Sequence, residues 1–123
     1  MRSADKALLV LLAACAAATL FHHAHNAEFL DEYPNMPAWL SRASVYGAWL
    51  IAGLIGAAGY VLLRQGYRVL GLVLLGAYAC YGLDGLAHYA LAPMSAHTAA
   101  MNLSIWLEAA AGAGLLLAIA KAR

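Results

Sequence analysis

Four apolar runs, each close to the length needed to cross a lipid bilayer, take up most of this 123-residue chain. A membrane helix needs roughly 20 mostly apolar residues. The runs fall at about 7–26, 43–63, 69–91 and 97–120. Only 11% of the residues are charged, against about 25% in an ordinary soluble domain. The pattern predicts an all-α integral membrane protein. Residues 1–123 form a single transmembrane domain, a four-transmembrane-helix bundle with short loops. No basic patch of the kind that binds nucleic acid is present. The lipid bilayer is the first partner, with other membrane subunits or a homo-oligomer as further ones.

The first run is short before it reaches its histidines. A basic start, an apolar stretch and small residues also describe a signal peptide, and Leu12-Ala13-Ala14-Cys15 resembles a bacterial lipoprotein cleavage box. Cleavage would leave three spans and separate the termini, so a first helix continuing to about Asn26 is the preferred reading. Cys15 and Cys80 lie inside apolar runs at similar depth. They read as small buried hydrophobes before they read as a redox or metal pair.

The loops set the orientation. Arg2, Lys6, Arg64, Arg68, Lys121 and Arg123 share one side of a four-span chain, leaving only Arg42 opposite. By the positive-inside rule both termini are cytoplasmic. The most polar stretch, Phe21 to Trp39, then caps the outer face, the periplasmic one in a bacterial inner membrane. Pro34 and Pro37 hold its second half out of regular helix, and Tyr33 and Trp39 read as interfacial anchors. Glu28 to Pro37 reads as loop or partner contact more than as site chemistry.

This topology gathers all five histidines at one end. His22, His23 and His25 end the first span, His88 lies near the end of the third, and His97 opens the fourth. His22 and His25 are i,i+3 and share a helix face, while His23 is turned about 100° away. Asp84 and His88 are i,i+4 on one face with Tyr81 a turn earlier, and His97, Met101, Ser104 and Glu108 form a stripe on the last span. Ionisable groups inside a span are costly, and they mark function or pairing within the bundle.

The leading expectation is a metal site built from His22, His25, Asp84, His88 and His97. Imidazole and carboxylate donors suit copper, zinc or iron, and Met36, Met94 and Met101 on the same side favour copper. The run Asp84-x3-His88-x8-His97 resembles the Asp/His/His copper site in the membrane-embedded C subunit of copper membrane monooxygenases. That likeness is between sites, over some fourteen residues of this chain.

Three other readings use the same residues. A haem could sit between His25 and His88, or between His22 and His97. A metal-free enzyme, working on a lipid-like substrate as small four-span isomerases do, would use Glu108, Asp84 and His88 as acid and base. An accessory subunit would pack the small-residue face of the second span (Gly47, Gly53, Gly56, Gly59) into a larger complex. No nucleophile motif supports covalent catalysis.

Overall fold

A computed structural model describes residues 3–122. Arg2 and Arg123, two of the six cations used for orientation, lie outside them. Helix α1 spans Ser3–Glu28, α2 Arg42–Arg64, α3 Arg68–Tyr81, the short α4 His88–Leu91, and α5 Ala99–Lys121. Single 3-10 turns occupy Leu30–Glu32, Asp84–Ala87 and Met94–Ala96. Four stretches, Asp5–Glu28, Arg42–Arg64, Arg68–Leu91 and Ala99–Lys121, are helical, long and apolar enough to cross a membrane.

Local chemistry sets the boundaries. Ser41 caps α2: its hydroxyl accepts from the Ser44 amide at 3.1 Å, and the Ser44 hydroxyl receives the Ser41 amide at 2.9 Å. That reciprocal arrangement satisfies two amides that would otherwise lack partners at a helix start. Thr98 caps α5 through the Met101 amide at 3.2 Å. Gly66, at φ +93°, lets the chain reverse tightly between α2 and α3, in a backbone region that glycine enters at little cost.

Packing is closest between α2 and α3, and small residues make it so. A Cβ on Gly59 would sit 2.8 Å from the Leu75 amide nitrogen, and one on Gly71 would sit 2.7 Å from that of Leu63. A Cβ on Gly56 would meet the Tyr78 ring at 2.6 Å. In lipid, close backbone approach of this kind replaces the hydrophobic drive between helices. Gly47 and Gly53 have nothing within 4 Å, so only half of the expected small-residue face is used within the bundle. Helix α1 packs on α5 and completes the four-helix bundle. Cys15, Leu75, Ala79 and Leu115 fill its core, whereas Val10, Leu54, Val69 and Leu117 point outward. Cys15 and Cys80 do not form a pair: both are free thiols, and Cys80 is exposed.

The third span departs from expectation. It is not one helix: after Tyr81 the chain tightens into the 3-10 turn Asp84–Ala87 before α4 resumes. Residues four apart in 3-10 geometry are about 120° apart, so Asp84 and His88 do not share a face. Asp84 is exposed and His88 buried. Gly85 explains the turn's position, because a Cβ there would lie 2.5 Å from Glu108 Oε2 and 3.3 Å from His22 Nε2. The backbone passes directly over the buried carboxyl, and any larger residue there would have to displace the Glu108 side chain.

Candidate functional site: a histidine cage above a buried glutamate

The end of the bundle carrying the histidines has two layers. In the upper layer four histidines surround one tyrosine. The Tyr33 ring centre lies 6.4 Å from His22, 5.8 Å from His25, 4.8 Å from His88 and 6.5 Å from His97. Tyr33 is 3% exposed, and its hydroxyl meets His25 Nδ1 at 2.9 Å. Burial pushes its phenol up to about 12, so it stays neutral at physiological pH. The loop, expected to be loop or partner contact more than site chemistry, places Tyr33 at the centre of the histidine cluster. The chain is held there by the Asn35 side chain, which donates to the Leu91 carbonyl at 2.9 Å. Asn35 itself adopts φ +57°.

In the lower layer lies Glu108, fully buried. His23 Nδ1 is 3.3 Å from its Oε1, and His22 Nε2 is 3.8 Å from its Oε2. His23 was expected to point away from His22 and out of the site. It is instead buried against Glu108, with Tyr81 Oη 2.6 Å from its Nε2. The helix turn that separates the two rings brings them onto two sides of the same carboxyl.

The neighbours fix where the hydrogens are. A backbone carbonyl only accepts, so His23 Nδ1, 2.8 Å from the Thr19 carbonyl, donates there and its Nε2 accepts from Tyr81. The Ser104 hydroxyl gives its one hydrogen to the Met101 carbonyl at 2.9 Å. It must therefore accept from His22 Nδ1, 3.0 Å away. His22 Nε2 is left as a bare lone pair facing a carboxyl oxygen. His97 follows the same rule: Nδ1 donates to the Pro93 carbonyl at 3.0 Å, and Nε2 is buried without a partner among the described residues. Asn26 donates to His88 Nε2 at 2.9 Å. Asn26 Oδ1, His88 Nδ1 and both Glu108 oxygens also lack hydrogen-bond partners among the described residues.

The result is a buried cluster rich in acceptors and poor in donors. Orphaned buried acceptors cost roughly 1–3 kcal/mol each, and more when charged. His22 Nε2 and Glu108 therefore call for a positive particle between them, a proton or a metal ion.

Above and beside this pair opens a cavity of about 490 Å³. Its polar floor is His22, His23, Asn26, Tyr81, Asp84 and His88, and its apolar wall includes Met36, Pro37, Trp39, Leu40, Val45 and Leu91. Trp39 at its edge is 77% exposed.

No protein-family model, curated protein or solved structure matches the chain.

Of the five residues expected to hold a metal, His22, His25, His88 and His97 converge, but on the Tyr33 ring. Asp84 stays outside that cage, at the cavity lining. Among the described residues, no three His, Cys, Asp or Glu side chains are disposed to hold one ion. Among the described residues the histidine ring contacts are His22 with His23 at 5.5 Å, His22 with His88 at 5.2 Å and His88 with His97 at 6.0 Å. Tyr33, Asn26, Thr19 and Gly85 were not anticipated from sequence. Two of them carried a signal, since Asn26 is four residues after His22 and Thr19 four before His23, one helical turn in each case.

Proposed function

We propose that this chain is a small membrane enzyme that moves a proton to or from a lipid-soluble, amphiphilic substrate. Glu108 and His22 act as its acid–base pair. The observation that carries this reading is the facing of two acceptors, His22 Nε2 and Glu108 Oε2 at 3.8 Å, beside an apolar-walled cavity. A proton carried by either group removes the repulsion between the two facing lone pairs, and at 3.8 Å the pair must draw closer to pass it across. His23 and Tyr81 form the branch that leads from Glu108 back to the cavity lining, so the proton has a route to a bound molecule. The apolar wall receives the substrate's hydrocarbon part, and His88 with Asn26 offers its polar end one donor and one acceptor. Asp84 stands at the lining, where it can exchange protons with water.

The preferred orientation keeps both termini cytoplasmic and the histidine end periplasmic, in a bacterial inner membrane. Assembly into a larger complex or a homo-oligomer remains compatible with the open Gly47 and Gly53 positions.

A second reading is a bound metal ion, copper by the donor chemistry, with zinc or iron as alternatives. The buried lone pair of His97 Nε2 favours it, although the Tyr33 ring fills the centre of the four histidines and would have to move for them to share an ion. Ligating histidines characteristically donate their other ring N–H to a carbonyl or hydroxyl, as His97 and His22 do here.

One pair of measurements separates the readings. Infrared spectroscopy of the purified protein detects the carbonyl stretch of a protonated carboxylic acid, and elemental analysis of the same sample detects metal. The proton reading expects a carboxylic acid band that vanishes in Glu108→Gln, with no stoichiometric metal. Stoichiometric copper, zinc or iron that is lost in His22→Ala or His97→Ala would replace it with the metal reading.

A further inference from the structure

The opposite end of the bundle holds a second cavity, of about 660 Å³. It lies where the start of α1, the end of α2, the start of α3 and the end of α5 come together. Its floor is apolar, with Leu8, Leu63 and Leu72 among its side chains, and its rim carries Arg64, Arg68 and Lys121 with one carboxylate, Asp5. Arg64 Nη1 is 3.2 Å from Asp5 Oδ2, and its side chain is still 48% exposed. Arg68 donates to the Ala122 carbonyl at the end of α5. Among the described residues that line it, three cations against one anion leave a net charge of +2 at the mouth of an apolar cleft.

We propose that this cleft is a binding site for an anionic glycerophospholipid. The four spans all begin or end here, which is the depth of the lipid phosphates in a bilayer. An acyl chain fits the floor and a phosphate fits the rim. Basic pockets between membrane helices recognise acidic headgroups in this way. A free phosphate ion would use the rim and leave the apolar floor unfilled, so the lipid is the occupant that matches both parts. The site is independent of the chemistry at the histidine end.

The test uses the full chain purified in a neutral detergent, with phosphatidylglycerol, phosphatidylcholine or inorganic phosphate added and bound lipid counted by native mass spectrometry. The expected result is retention of one phosphatidylglycerol, with phosphatidylcholine and phosphate failing to displace it. Arg68→Gln and Lys121→Gln should each weaken retention by roughly fivefold, the worth of one cation near an acidic headgroup. Lys121 is exposed, so its replacement leaves the fold intact even if Arg68→Gln does not. Arg42→Gln, at the other end, should have no effect. Equal retention of both lipids, an unchanged affinity in Lys121→Gln, or an equal loss in Arg42→Gln would overturn the proposal. So would a dimer that forms through this cleft and excludes lipid.

Discussion

The two ends of this bundle are built from the same four spans, yet they treat polar groups in opposite ways. At the basic end, charges sit at the rim, half in water, and find partners: Arg64 with Asp5, Arg68 with the last turn of α5. At the histidine end, polar groups are buried, and several of those described have no hydrogen-bond partner. The first arrangement costs little and needs no further explanation. The second stores unsatisfied polarity in a low-dielectric interior, which a fold tolerates where something else is bound or transferred. Charge at the ends of helices orients a membrane protein. Charge buried between them equips it for chemistry.

The largest test of that contrast is Glu108→Gln. If the carboxyl transfers a proton to the substrate, turnover should fall by about 10²–10⁴-fold. Thermal unfolding should change little, because the amide is isosteric and can donate to His22 Nε2. A variant that keeps full activity would reduce the buried end to a structural network.

Gly59→Ala breaks the comparison from outside, since it lies between the two ends. Its Cβ would press on backbone on the facing helix, and overpacking of this kind costs about 1–3 kcal/mol. Both ends should then weaken together, seen as lower thermal stability with parallel loss of lipid retention and of activity.

Tyr81→Phe removes the hydroxyl donor from His23 Nε2 and leaves that lone pair bare. Stability should fall by about 1–3 kcal/mol, and turnover should fall with it if the His23 branch carries the proton. Stability loss alone would confine Tyr81 to packing.

Arg42→Ala should do least, although it lies at the histidine end. Arg42 pairs with Glu28 at 2.7 Å, and both side chains are well exposed. Such pairs contribute about 0–1 kcal/mol, so unfolding in detergent should barely move. Tyr33→Phe sharpens the same point through pH. Burial holds the Tyr33 phenol at about 12, above its usual value of about 10. The folded state therefore binds this proton more tightly than the unfolded chain does. Its stabilising contribution is complete below pH 10 and is lost as the pH rises from 10 to 12. Wild type should lose stability across that window more steeply than Tyr33→Phe, measured as the difference between their unfolding curves.

The architecture was legible in the sequence because bilayer thickness imposes a length on each apolar run. The burial of Glu108 and the clustering of histidines also followed, since the topology alone carries His22, His88 and His97 to one end. What escaped was geometry finer than a helical period. A uniform helix through Gly82 and Gly85 gives Asp84 and His88 one face, and the 3-10 turn breaks that relation. Helical phase turned His23 away from His22, but a carboxyl sitting between two rings can use both. Tyr33 was hidden because nothing local says that a loop tyrosine will turn inward. That depends on the Asn35 bond to Leu91, 56 residues away along the chain.

The long reach of these contacts has a consequence for how the protein is made. His22 bonds to Ser104, 82 residues further on, and His23 to Tyr81, 58 residues further on. A chain emerging from its N-terminus presents His22 and His23 before their side-chain partners on the later helices exist. Tyr81 arrives with the third span, whereas Glu108 and Ser104 arrive only with the last. Until then α1 holds an unsheltered polar face in hydrocarbon. A chain cut short before residue 99 therefore lacks both groups that His22 meets on the last helix, Ser104 and Glu108.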